Sequence, residues 1–236
     1  QIDRVEYHKL MKKTIEDTDG LYLKQAEITD ILFEEDGKTV RGVRTKLGTE
    51  YDCKAVVIST GTYLGGTVHV GAVSYSSGPD ATLPALGLTE CLKKAGMTIR
   101  RFKTGTPARV HKRSIDFDKL EVQCGDDDIT PFSFDNHEKL ENKVKCYVAY
   151  TNEETHKVIR DNIHLSPIYS GRIHAIGPRY CPSIEDKIMR FSDKPRHQLF
   201  IEPMGLDTDE YYLQGMSSSL PEFVQLQFLH TIKGLE

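Results

Sequence analysis

The stretch Gly177-Pro178-Arg179-Tyr180-Cys181-Pro182-Ser183-Ile184-Glu185-Asp186-Lys187-Ile188-Met189-Arg190-Phe191 sets one cysteine at the edge of a charged, helix-like run. Pro182 suits the entrance of a helix, and Ser183 followed three residues later by Asp186 approximates a capping box. The spacing therefore predicts a short helix over residues 184–191. The start of such a helix carries partial positive charge that favours a thiolate, and Arg179 adds a cation two residues from Cys181. The same end suits a pyrophosphate or a carboxylate. Local chemistry leaves three readings of Cys181 open: a nucleophilic or acid-base thiol, a bystander beside an anion site, and a buried structural residue.

A second constellation is cationic. From Lys93 to Arg113 there are eight Lys or Arg residues and no acid, in a chain whose net charge is -4. Within it, Arg101-Phe102-Lys103-Thr104-Gly105-Thr106-Pro107-Ala108-Arg109 interleaves Gly and Thr with cations. Backbone amides there would give geometry, and the cations charge, for phosphate oxygens. Arg101, Lys103, Arg109, Lys112 and Arg113 are the candidate ligands for nucleic acid or phosphate, whether RNA, a nucleotide cofactor or a polyglutamylated cofactor. The competing reading is a solvated basic face balanced by the acids of residues 121–128.

No metal site is expected. Asp126, Asp127 and Asp128 are adjacent and cannot converge on one ion without distant partners, and His156, His164 and His174 lack the spacing of a ligand face. The cysteines at 53, 91, 124, 146 and 181 are odd in number, with no C-x-x-C pair. They suggest neither a zinc site nor a disulfide framework and fit a reducing, cytoplasmic setting.

The elements that must position these groups are legible in part. Residues 28–33, 40–45 and 51–59 are β-prone runs separated by Asp36-Gly37 and Leu47-Gly48, which predicts an antiparallel meander. Ala55-Val56-Val57-Ile58 is continuously apolar, the pattern of a strand covered on both faces, and it leads into Ser59-Thr60-Gly61-Thr62. Small residues at such a strand end admit a flat cofactor or another backbone. A helix from Thr89 closed by Gly96 is expected next, with Cys91 as a small buried residue. Residues 116–142 read as a surface insertion. A strand over 144–151 follows, then a helix capped by Thr151 or Asn152. The chain ends in what reads as the middle of a helix.

These blocks, taken together, resemble the MnmG/GidA family of bacterial and organellar tRNA uridine 5-carboxymethylaminomethyl modification enzymes. The resemblance rests on residues 177–191, on Ala55 to Gly61 with Tyr63-Leu64, on His69-Val70-Gly71 and on Lys103-Thr104-Gly105-Thr106-Pro107. It extends through Thr151-Asn152-Glu153, Ser166-Pro167 and Ser217-Ser218-Ser219-Leu220-Pro221. It implies an α/β fold: part of an FAD-binding, glutathione-reductase-like Rossmann domain with a β-meander and an inserted α/β domain. The expected divisions are 1–100 in the FAD-binding domain, 101–205 as the insertion, and 206–236 returning towards the FAD-binding domain. It also implies a homodimer in the cytoplasm that works with the GTPase MnmE on the wobble uridine of tRNA, using FAD, NADH and methylenetetrahydrofolate. Cys181 would serve the chemistry, and residues 177–191 are the family's assigned NAD-binding segment. Glu27 and Ser76 align with FAD contacts, and Thr60, Gly61 and Thr62 lie where the flavin is expected to approach.

A Gly-x-Gly-x-x-Gly fingerprint is absent, as are the family's second essential cysteine, its Ala-Gly-Gln-x-Asn-Gly signature and its C-terminal helical region. The chain thus reads as a central fragment, expected to be inactive and poor at holding flavin alone. With 38% hydrophobic residues and no long apolar run, it offers no membrane span. Two other functions remain in view: a tRNA-binding and dimer-forming platform with a structural Cys181, and a related folate- and FAD-dependent tRNA uridine methyltransferase.

Overall fold

A computed structural model describes residues 2–175, 177 and 182–236. Cys181, with Pro178, Arg179 and Tyr180 before it, lies outside the described residues. The chain divides into two units. One runs from Ile15 to Arg101, and the other combines the first fourteen residues with Phe102–Glu236.

The chain opens with helix α1 (Arg4–Glu16). Asp3 starts it, one carboxylate oxygen accepting the Val5 and Glu6 amides at 2.9 and 3.1 Å and the other the Leu206 amide at 3.1 Å.

The Ile15–Arg101 unit holds the expected meander: β1 (Ile28–Phe33), β2 (Val40–Thr45) and β3 (Glu50–Asp52), antiparallel in that order. The Asp36-Gly37 turn closes the first hairpin because Gly37 takes φ +65° and Asp36 Oδ1 accepts the Lys38 and Thr39 amides, both at 2.8 Å. Leu47-Gly48 closes the second. Strands β4 (Thr67–Val70) and β5 (Val73–Ser76) form a separate hairpin. Helix α2 (Leu86–Lys94) begins three residues before the expected Thr89 and does end at Gly96, which has φ +84°. It packs Leu88 and Leu92 on Ile31, and Cys91 Sγ accepts the Ile31 amide at 3.2 Å, so this thiol is a packing group.

The strand expected over residues 55–58 does not form. No ladder includes these residues, Val57 is 90% exposed, and only Val56 reaches the small core. A strand is made by its neighbours, and no described strand of this unit pairs with the apolar run.

The second unit is built on a five-stranded antiparallel sheet in the order β6-β10-β9-β8-β7. Its strands are β6 (Arg109–His111), β7 (Glu121–Gln123), β8 (Cys146–Tyr150), β9 (Gln198–Pro203) and β10 (Glu210–Gln214). Alternation in β9 and β10 sends Leu199, Ile201, Tyr211 and Leu213 to one face. Helices α3 (Glu153–Asp161), α4 (Ile184–Arg190) and α5 (Glu222–Leu229) contribute Ile159, Ile184, Ile188, Val224 and Phe228 to the same core. Residues 206–236, expected to turn towards a flavin domain, supply much of this core, including Leu220 and Ile232. The C-terminus is not mid-helix: α5 stops at Leu229, and tight turns follow. Beyond β7 the expected surface insertion is exposed, with Phe132 and Phe134 fully in solvent.

Both predicted caps form. Asn152 starts α3 with a reciprocal capping box to Thr155, and Ser183 does the same for α4 with Asp186.

Candidate functional site

Three segments far apart in sequence, residues 103–107, 183–186 and 217–221, meet at the start of α4. Asp186 is the hub. Its Oδ2 accepts from the Ser183 hydroxyl at 3.0 Å and from the Ser183 amide and Lys103 Nζ, both at 3.3 Å; its Oδ1 accepts from Tyr169 Oη at 3.3 Å. Burial opposes the charge on Asp186, but the Lys103 ammonium and the two Ser183 donors outweigh it and hold the carboxyl below its usual range. Burial, with the Asp186 charge behind it, pushes the Tyr169 phenol up to about 12. Near neutral pH the Asp186 carboxyl is thus ionised and the Tyr169 phenol neutral.

The third segment closes from the other side. The Ser217 carbonyl accepts the Ile184 amide at 2.8 Å. Glu185, wholly buried, uses Oε1 to accept both the Ser218 hydroxyl at 3.0 Å and the Ser219 amide at 3.1 Å. Gly105 lies against Ser217 so closely that a Cβ on it would sit 3.0 Å from the Ser217 Cβ. Glycine here permits the approach of two backbones.

This packing changes the reading of the helix start. Helix α4 has only seven residues, and the amides of Ser183, Ile184 and Asp186 are taken by Asp186, Ser217 and Ser183. Those donors serve to lock the loops together. Of the NAD-segment candidates described, Ser183, Ile184, Glu185, Asp186 and Ile188 are buried, Pro182 and Lys187 are half-buried, and Gly177, Met189, Arg190 and Phe191 are exposed. Lys187 donates to the Gly215 carbonyl at 2.9 Å. Nothing in the sequence marked Glu185 as buried or Tyr169 as a partner of Asp186; the reach from 185 to 218 exceeds any local spacing rule.

The basic candidates separate. Lys103 has a side chain only 12% exposed and is spent on Asp186. Arg109 is exposed, donates to Thr106 Oγ1 at 2.7 Å, and lies over the Tyr212 ring at 5.3 Å. Lys112 and Arg113 are exposed beside it in sequence. Arg101 belongs to the other unit, where it donates to the Gly65 carbonyl and to Thr67 Oγ1.

The flavin candidates all lie in the Ile15–Arg101 unit. Thr60, Gly61 and Thr62 form a tight turn in which the Thr60 carbonyl accepts the Tyr63 amide at 3.0 Å; Gly61 has φ +54° and open space where a Cβ would point. Ser76 ends β5 beside them: the next residue, Ser77, donates its amide to Gly66 at 3.2 Å, and Gly66 donates to Tyr63 at 3.2 Å. Glu27 is held by Lys46, whose amide donates to its carbonyl at 2.8 Å and whose Nζ donates to its carboxylate at 2.9 Å. Among the described residues no group of three His, Cys, Asp or Glu side chains is placed to hold a metal ion, and no helix is long and apolar enough to cross a membrane.

The chain is similar along its whole length to known proteins. Over 237 aligned residues it is 56% identical to the tRNA uridine 5-carboxymethylaminomethyl modification enzyme MnmG of Caldicellulosiruptor saccharolyticus, and over 236 it is 52% identical to that of Alkaliphilus metalliredigens. All of this chain is covered in both, against 37% of either relative, so it spans well under half of their length. Among solved structures, GidA of Aquifex aeolicus in its form I crystal superposes over the whole chain and 40% of its own, with a TM-score of 0.91 and 46% identity. The sequence profile described as Glucose inhibited division protein A matches residues 1–236, and the chain belongs to that family.

Proposed function

We propose that this chain is the central part of an FAD-dependent tRNA-modifying enzyme. With the GTPase MnmE it adds a carboxymethylaminomethyl or aminomethyl group to C5 of the wobble uridine, drawing the one-carbon unit from methylenetetrahydrofolate and electrons from NADH. The observation that supports this most is the meeting of three distant segments, residues 103–107, 183–186 and 217–221, in one hydrogen-bonded cluster within a chain 56% identical to an MnmG enzyme. A homodimer in the cytoplasm is part of the same reading.

The roles divide by unit. Glu27, Thr60, Gly61, Thr62 and Ser76 form part of the rim for FAD. Gly61 has the open space that a close approach requires, so the residues present fit one side of such a cofactor. They do not include a glycine-rich pyrophosphate loop, so this chain alone binds flavin poorly. When bound, the flavin supplies hydride equivalents. Residues 177–191 serve the nicotinamide dinucleotide, with the Asp186 cluster fixing the start of α4. The Cys181 thiol adds to uracil C6 or handles a proton there; addition places electron density on C5, where the new carbon is attached. Exposed Arg109, Lys112 and Arg113 receive phosphates of the tRNA.

The experiment is genetic and chemical. Nucleosides of total tRNA are measured by mass spectrometry in cells lacking the gene for the full-length protein, and again after it is restored. Loss of the wobble modification and its recovery support the reading; an unchanged nucleoside profile overturns it.

A further inference from the structure

Glu185 belongs to the segment assigned to the dinucleotide, yet it is the one fully buried acidic side chain among the described residues. A side chain with no exposed surface does not touch a ligand in this arrangement. What it touches is the turn at residues 217–220. Oε1 accepts from the Ser218 hydroxyl and the Ser219 amide; Ser218 Oγ then accepts the Leu220 amide at 3.1 Å, and the Leu220 carbonyl accepts Gln225 Nε2 at 2.7 Å. The chain of bonds runs from α4 through the serine turn to α5. On its other flank the turn presses Ser217 against Gly105, in the segment whose Lys103 returns to Asp186.

The second carboxylate oxygen, Oε2, is buried with no partner among the described residues, as is Ser219 Oγ. A role resting on charge would require a cation or a set of donors around Oε2. The structure shows instead one oxygen with two donors and one with none. That is the pattern of an acceptor, and a neutral carbonyl oxygen can supply it.

We infer that Glu185 is a positioning residue, whose single working oxygen clamps the serine turn and, through Ser217 and Gly105, fixes the loop from Lys103 to Pro107 against α4. Glu185 does not contact the dinucleotide, and its negative charge is not used. This rests on the reading that residues 177–191 serve NADH oxidation.

The test uses the full-length protein with three variants, Glu185→Gln, Glu185→Ala and Ser218→Ala. Steady-state NADH oxidation gives kcat and KM, and thermal unfolding is followed in parallel. Glu185→Ala removes the clamp and lowers kcat/KM by roughly 10-fold or more, and it lowers Tm. Glu185→Gln keeps a carbonyl oxygen for both donors and recovers most of that loss. Ser218→Ala removes the donor to Oε1 and the acceptor of the Leu220 amide without opening the core; it raises KM for NADH by about 3-fold to 10-fold while kcat changes little. A folded Glu185→Gln protein as impaired as Glu185→Ala would show that the charge is used, and the inference would fail. An unchanged KM in Ser218→Ala would equally overturn it. Should the unaltered protein not oxidise NADH, the functional reading fails by itself. The clamp then stands or falls on the Tm order alone, with Glu185→Gln above Glu185→Ala.

Discussion

The polar cluster around Asp186 and the corner formed by residues 60–62 and Ser76 differ in how far this chain completes each. Asp186 has a capping serine, an ammonium and a phenol as partners, and beside it the neighbouring glutamate holds a serine turn. At the corner the backbone is shaped, with Gly61 at φ +54°, but Thr62 and Ser76 are exposed and Thr60 is half-buried, and the apolar run before them points Val57 into solvent. The first region is prearranged by its own unit. The second is left open by its own unit, with nothing within 4 Å of where a Cβ on Gly61 would point.

The comparison can be broken most forcefully at the hub. Asp186→Ala leaves Lys103, whose side chain is 12% exposed, without its carboxylate and removes the acceptor of Tyr169 and Ser183, so stability should fall by about 3–5 kcal/mol. Chemical denaturation of the full-length protein measures this, and a loss under about 1 kcal/mol would mean that the cluster is not the organising element. Next in size is the contrast among cations. Lys103→Met should lower stability and leave the salt dependence of tRNA binding nearly unchanged. Neutralising Lys112 and Arg113 together should instead weaken binding and reduce the salt slope by roughly 1 for each phosphate that is no longer neutralised. Equal salt slopes in the two variants would return Lys103 to the anion ligands.

A third prediction concerns pH. Asp186 is held below its usual range, so its stabilisation is present above the ordinary carboxylate pKa and is lost only as pH falls through the lower folded value. Tyr169, raised to about 12, stabilises the neutral form; its contribution is complete below an ordinary phenol's pKa and is lost as pH climbs towards 12. The hub is therefore indifferent to pH across the neutral range. His156 and His197 behave otherwise. Burial pushes both down, and the fold favours their neutral forms, so stability declines as pH falls below the ordinary histidine value. They share Thr151, whose Oγ1 lies 2.7 Å from His156 Nε2 and accepts the His197 amide at 2.8 Å. Urea titrations at pH 7 and 5.5 should show the drop, and His156→Gln should shrink it. The smallest effect belongs to the corner: Val57→Thr, at a 90% exposed position, should change the stability of the isolated chain by less than about 0.5 kcal/mol. A larger loss on denaturation would mean that the run is already packed.

Local physics made both units readable in pieces. The caps at Asn152 and Ser183, the hairpin at Asp36-Gly37 and the strand before Asn152 each depend on neighbours a few residues away, and all formed. The run at residues 55–58 failed because a buried strand is a property of the sheet around it. The site was half legible for the same reason. A capping box announces itself over four residues, whereas Lys103 meeting Asp186, or Glu185 meeting Ser218, is decided by how the sheet and helices fold over. The basic island likewise concealed that one of its cations is half-buried and paired with Asp186 while others stay at the surface.

The most direct test of the account concerns Cys181 in the full-length protein, with Cys181→Ser compared with the unaltered protein in cells otherwise lacking the gene. Wobble uridine modification is read by nucleoside mass spectrometry, and flavin content is measured on the purified protein. The account predicts that modification disappears while bound FAD and thermal stability stay unchanged; full modification by the serine variant would contradict it.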